Sequence, residues 1–200
     1  MAKRIKWFIP AIAAASLLAV PAANAGLLDP VTNLVSPACA GTAHPFAQFG
    51  DGHSYYSIKN NGFESGSYGW SLAGGAYVGS GNEPWFVNGS GNRSLVLPPG
   101  ASATSPSFCM NVLNPAVRGF ARGSDGGDLK VQVVFHGPLG NLLGILNYGD
   151  VEGTGSWAPT DRLPSALGLL AAYAQIRITA ASGTFQVDDF FADPLVNLAG

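Results

Sequence analysis

Charge is scarce in this 200-residue chain: Asp, Glu, Lys and Arg make up 11% of it, and only 10 residues are basic. Beyond Lys6 the basic residues are isolated, which argues against a nucleic-acid or anionic-membrane partner, since both need clustered Lys and Arg. Cysteine is limited to Cys39 and Cys109, too few for a disulfide-dense scaffold or a cysteine-rich zinc cluster. The three histidines, His44, His53 and His136, are widely spaced and sit beside no evident co-ligand. Gly-x-Ser-x-Gly, His-Glu-x-x-His, Cys-x-x-Cys and Gly-x-Gly-x-x-Gly are all missing, so the common hydrolase, metalloprotease, redox and dinucleotide signatures do not apply. A glycosidase needs only two carboxylates, so motifs alone do not exclude one.

The N-terminus has the three parts of an export signal. Lys3, Arg4 and Lys6 precede an apolar run from Trp7 to Val20, and Ala23-Asn24-Ala25 supplies small residues for cleavage before Gly26. The run contains Pro10 and falls short of the ~20 residues a membrane span requires, which disfavours a retained anchor. Residues 1–25 are therefore expected to be removed, leaving seven basic and twelve acidic residues, a net charge of −5. The expected location is secreted or periplasmic, with no membrane insertion after cleavage. In that compartment Cys39 and Cys109 read as a disulfide closing a loop of about 70 residues, worth roughly 4 kcal/mol if unstrained. Two free buried thiols are the alternative.

Residues 26–48 lack periodicity and are punctuated by Pro30, Pro37 and Pro45, so they read as an irregular leader tethered through Cys39. Residues 49–200 read as one domain of short strands separated by turns such as Asn60-Asn61-Gly62 and Ser124-Asp125-Gly126-Gly127. Trp85–Val87 and Ser107–Met110 are among the expected strands, and Ser165–Ala174 is read as one turn or a loop. Two runs alternate cleanly. Leu129, Val131, Val133 and Phe135 oppose Lys130, Gln132 and His136; Ala174, Ile176 and Ile178 oppose Gln175, Arg177 and Thr179. Period two with one apolar face is the pattern of half-buried antiparallel strands. The expected fold class is all-β, a two-sheet antiparallel β-sandwich of jelly-roll type.

Three signatures in order carry a family resemblance: Asn61-Gly62-Phe63-Glu64, then Gly69-Trp70, then Val187-Asp188-Asp189-Phe190 followed by Asp193-Pro194. The chain resembles the jelly-roll carbohydrate-binding modules and their galactose-binding-like relatives. That resemblance implies first and last strands lying near one another, with Glu64, Asp188 and Asp189 around a structural Ca²⁺, an ion that prefers hard oxygen ligands. The other reading has the two aspartates on opposite sides of the strand, one solvated and one bonded to turn amides.

The outward strand positions suggest a ligand face. Arg118, Phe120 and Arg122 share one side of their strand, as do Lys130, Gln132 and His136, Gln175 and Arg177, and Gln186 and Asp188. If those strands are neighbours in one sheet, planar donors surround an aromatic ring, the combination that sugars use. An ordinary solvated sheet face predicts most of the same pattern. Trp85, beside Pro84 and near Gly-Ser-Asn loops, is the tryptophan expected to be exposed. The expected function is a non-catalytic glycan-binding-like domain acting on an extracellular or cell-surface glycan. A structural or adhesive envelope domain that binds another protein and a small extracellular glycan hydrolase are the alternatives.

Overall fold

The computed structural model describes residues 43–108, 116–164 and 173–193. Residues 1–25, expected to be an export signal, both cysteines and most of the 165–174 stretch thus lie outside the described residues.

Among the described residues, twelve strands build two sheets. The larger holds β1 (Tyr56–Ser57), β3 (Tyr77–Ser80), β4 (Arg93–Leu97), β6 (Ala116–Gly123), β9 (Ala158–Pro159), β10 (Leu163–Pro164) and β12 (Phe185–Asp193). Its spatial order is β10-β6-β12-β4-β3, with β1 paired to β12 and β9 to β6. The smaller holds β2 (Ser71–Ala73), β5 (Ser102–Thr104), β7 (Asp128–His136), β8 (Leu142–Glu152) and β11 (Tyr173–Ser182), in the order β2-β5-β11-β7-β8. Every pairing is antiparallel, so the chain is an all-β sandwich of two antiparallel sheets.

The alternation seen in the sequence fills the space between the sheets. Leu129, Val131, Val133 and Phe135 of β7 meet Ala174, Ile176 and Ile178 of β11, and across the sandwich Leu95, Leu97, Phe185, Val187 and Phe190 complete the core. Each large apolar side chain buried this way contributes about 1.5–3 kcal/mol. Two glycines make room for rings: a Cβ at Gly119 would stand 2.8 Å from the Phe190 ring, and one at Gly123 would overlap Phe185.

The last strand breaks its own alternation. Asp188 pairs with Phe120 and Phe191 with Arg118, so three steps on β12 match two on β6. Asp189 takes up the extra residue at φ 48, a left-handed conformation that Asp tolerates better than most residues. Because of this bulge Phe190 and Ala192 point into the inter-sheet core while Phe191 points out.

Phe120 corrects an expectation. It does face away from the inter-sheet core, but it is 0% exposed, because residues 43–55 fold over that side of the larger sheet. Phe46 stacks on Phe120 at 5.3 Å, and Phe49, Tyr55, Trp85 and Phe191 close a second apolar cluster. Asp51 fastens this strap: its carboxylate accepts hydrogen bonds from Arg118 at 2.6 Å and from the Tyr55 hydroxyl at 2.6 Å. The Arg118 guanidinium also lies 4.6 Å from the Phe46 ring centre. Burial pushes the Asp51 carboxyl up, yet the bonds from Tyr55, His53 and Arg118 outweigh it and hold the group well below the usual carboxylate range.

Three smaller differences have local causes. Trp85–Val87 forms a turn instead of a strand, with Phe86 at φ 52 and the amides of Trp85 and Val87 bonded to the Glu83 carboxylate. Ser107–Met110 shows, within the described residues, a single bridge between Phe108 and Ala174. The strand actually formed there is β5, whose Ser-Ala-Thr sequence carries no apolar contrast and is defined by pairing with β2 and β11.

Phe120→Ala should lower unfolding free energy by about 3–5 kcal/mol, the scale for emptying a packed aromatic site, as measured by urea denaturation. A loss below about 1 kcal/mol would show that the strap does not seal the ring in solution.

Candidate functional site

With the inner positions of β7 and β11 committed to the core, their outer positions carry Lys130, Gln132, Val134 and His136 beside Tyr173, Gln175, Arg177 and Thr179. Register then extends the face across the whole smaller sheet. Arg177 stands opposite Gln132, and Gln132 opposite Asn147 of β8; on the other side Arg177 stands opposite Thr104, and Thr104 opposite Ser71. Directly opposed residues share a face, so these five make one row over five strands, spanning about 19 Å at the usual strand spacing.

The row and its surroundings are already oriented. Gln132 Nε2 donates to Asn147 Oδ1 at 2.8 Å, and Gln175 Nε2 donates to the Ser105 carbonyl at 2.8 Å. His136 Nε2 and Gln175 Oε1 are 2.9 Å apart, and the His136 and Tyr173 rings stack at 5.0 Å with 12° between their planes. Neither Lys130 nor Arg177 belongs to an ion pair among the described residues. The face thus offers a ring platform, two cations and fixed amide groups at half-exposed positions. Such a surface can stack the CH side of a sugar and bond its hydroxyls.

The expected single band does not form. Arg118, Phe120 and Arg122 belong to β6 in the larger sheet, whereas Lys130, Gln132 and Arg177 belong to the smaller one, so the two groups face opposite sides of the sandwich. Sequence alternation assigns a side to each strand but cannot say which sheet the strand joins. Arg118 is taken up by Asp51, and Trp85 is half-buried against Phe49 and Phe120 at 4.9 and 5.3 Å. Asn147 and Tyr173 escaped the sequence reading. The first is visible only through register, and the second starts a strand that follows a Leu-rich stretch.

The acidic signature is also rearranged. Glu64 is exposed, and its Oε1 accepts the amides of Asn92 at 2.8 Å and Arg93 at 2.9 Å. The carboxylate that accompanies Asp188 and Asp189 is Glu83; all three are at most 2% exposed. Asp188 Oδ2 accepts the Glu83 amide at 3.2 Å and its Oδ1 the Asp189 amide at 3.0 Å. Asp189 Oδ1 has no hydrogen-bond partner among the described residues, and a Cβ at Gly62 would lie 3.0 Å from it. Burial, reinforced by the charge of Asp189, pushes Asp188 up to about 9; burial and the charge of Glu83 push Asp189 up to about 7. No group of three or more His, Cys, Asp or Glu side chains among the described residues is arranged to hold a metal ion.

No protein-family model matches the chain, and no curated protein does. Solved structures share its fold. A domain described as the enzymatically active domain of tailspike protein 4 of bacteriophage CBA120 superposes with a TM-score of 0.53 at 15% identity, over 68% of this chain and 21% of that one. The N-terminal tandem of family 22 carbohydrate-binding modules from Paenibacillus barcinonensis gives 0.52 at 16% identity, over 79% and 46%. A family 22 module joined to the catalytic module of a Clostridium thermocellum endo-1,4-β-D-xylanase, complexed with xylohexaose, gives 0.51 at 18% identity, over 68% and 28%. The chain therefore spans less than half the length of each. At these identities the shared property is the fold: the jelly-roll β-sandwich of carbohydrate-binding modules.

The acid cluster makes stability depend on pH. Asp188 and Asp189 bind a proton more tightly folded than unfolded, where the ordinary value is 3.8. The stabilisation is complete below that value and is lost as pH rises through about 7 and about 9. In chelating buffer the melting temperature should fall between about pH 5 and about pH 9, and Asp189→Asn should flatten the fall. Calorimetry showing stability that rises over that range would contradict this assignment.

Proposed function

We propose that this protein is an exported, non-catalytic glycan-binding domain whose ligand lies across the outer face of the smaller sheet. The observation that carries the reading is the five-residue row from Ser71 to Asn147 beside the stacked His136–Tyr173 pair. A flat face of aligned amides and hydroxyls, with one ring platform beside it, suits an extended, polar, repeating ligand. The fold's occurrence in the carbohydrate-binding module of a two-module xylanase structure complexed with xylohexaose supports it. Single modules gain little area and must order a flexible ligand, so dissociation constants of roughly micromolar to millimolar order are expected.

A glycan array followed by titration calorimetry tests this. Tyr173→Ala and Arg177→Ala should each weaken binding by roughly tenfold while leaving the fold intact, since both side chains stand on the outer surface. A protein that binds nothing on the array would move the assignment to a protein partner. The exposed Leu139, Leu142, Leu143 and Ile145 at one end of the same sheet favour that second reading. Release of new reducing ends from a bound glycan would instead make it a hydrolase.

A structural Ca²⁺ is proposed at the unpartnered Asp189 Oδ1 of the acid cluster, in place of the Glu64 set. The buried, unpartnered Asp189 Oδ1 and the space that a Cβ at Gly62 would fill support it. Bound only by the folded, ionised site, Ca²⁺ should raise the melting temperature at about pH 8 and much less at about pH 5. Indifference to both Ca²⁺ and chelator at the higher pH would leave the cluster as carboxyls hydrogen-bonded to backbone amides.

A further inference from the structure

The opposite side of the sandwich carries its own cross-strand row. Tyr77, Val96, Gln186 and Arg122 stand opposite one another in register across β3, β4, β12 and β6. They line a shallow cavity of about 370 Å³, together with Ser124 and Thr184. At one end Tyr77 is 53% exposed. At the other end Arg122 is held from two sides. Its guanidinium lies 5.5 Å from the Trp157 ring centre, and its Nη2 donates to Gln186 Oε1. Gln186 is fixed in turn, with its Nε2 donating to the Ser80 carbonyl at 3.2 Å.

Arg122 therefore has an orienting amide and an aromatic support but, among the described residues, no carboxylate in an ion pair with it. The ion pairs among the described residues belong to His53, Arg118 and Arg162. Asp125 abuts Gly155 at the cavity rim and is open to solvent. An exposed guanidinium with its stem and plane already fixed, in a chain that is otherwise acidic, is matched by a ligand carboxylate, which it can bond in a bidentate way. From Arg122 to Tyr77 is three strand spacings, about 14 Å, the reach of about two or three linked pyranose rings. The hydroxyls of Ser124 and Thr184 and the flat Tyr77 ring complete the groups a saccharide would meet.

We propose that this outer face of the larger sheet is a second saccharide site, selective for acidic sugars, with Arg122 bonding a uronate carboxylate and Tyr77 stacking a neighbouring ring. It is separate from the Gln132–Arg177 face, and neither site depends on the other. The intact protein is titrated with tetrasaccharides of galacturonate, glucuronate and mannuronate, and with the same sugars after reduction of their carboxylates to alcohols. At least one uronate should bind, its reduced form should bind tenfold or more weakly, and Arg122→Gln should produce a similar loss, the scale of a lost charged hydrogen bond. Tyr77→Ala should weaken binding severalfold, and Arg122→Lys should retain part of it. Melting curves of each variant report that the fold is kept. The proposal fails if no uronate binds, if the reduced sugars bind equally well, or if Arg122→Gln is silent. Loss on Arg177→Ala alone would assign the acidic sugar to the other face and overturn the second site.

Discussion

One extra residue in β12 decides which way the far end of the larger sheet faces. Without it, alternation from Val187 would send Asp189 and Phe191 into the space between the sheets and turn Phe190 and Ala192 outward. With Asp189 bulged at φ 48, Phe190 and Ala192 are core and Phe191 joins Phe120 on the outside. A charged side chain driven between the sheets unpaired would cost several kcal/mol, whereas a bulge costs one ladder position and a left-handed residue. The bulge also brings Asp188 and Asp189 to the same buried corner as Glu83, so the acid cluster and the outer aromatic cluster have one origin.

That origin explains why the two outer faces of the sandwich differ. On the larger sheet, Phe120 and Phe191 would form an exposed apolar patch, and the segment carrying Phe46, Phe49 and Tyr55 covers them, secured by Asp51 and Arg118. The cover reaches only part of the sheet: beyond Trp157 the surface opens again at Arg122 and Tyr77. The smaller sheet has no such cover among the described residues, and its outer side chains are polar over most of the width. Its apolar exception lies at the β8 end, where Leu142, Leu143 and Ile145 are exposed on an edge strand. The same fold thus separates an open polar face from a partly sealed aromatic one.

What the amino-acid order determined by itself was local. Period two in Leu129–Phe135, broken only by Val134, and in Ala174–Ile178 specified half-buried strands and which of their side chains point inward, because successive side chains of a pleated strand alternate between its faces. The Asn-Gly-x-Glu opening and the Val-Asp-Asp-Phe close were enough to indicate the jelly-roll class. Tertiary structure decided everything that depends on which strands are neighbours. Arg118, Phe120 and Arg122 were separated from Lys130, Gln132 and Arg177 by sheet membership, Glu64 was replaced by Glu83, and Phe120 was covered by a segment about seventy residues earlier in the chain. Periodicity reports the environment of a residue relative to its own strand; pairing, bulges and coverage arise from contacts distant in sequence, where no local pattern carries the information.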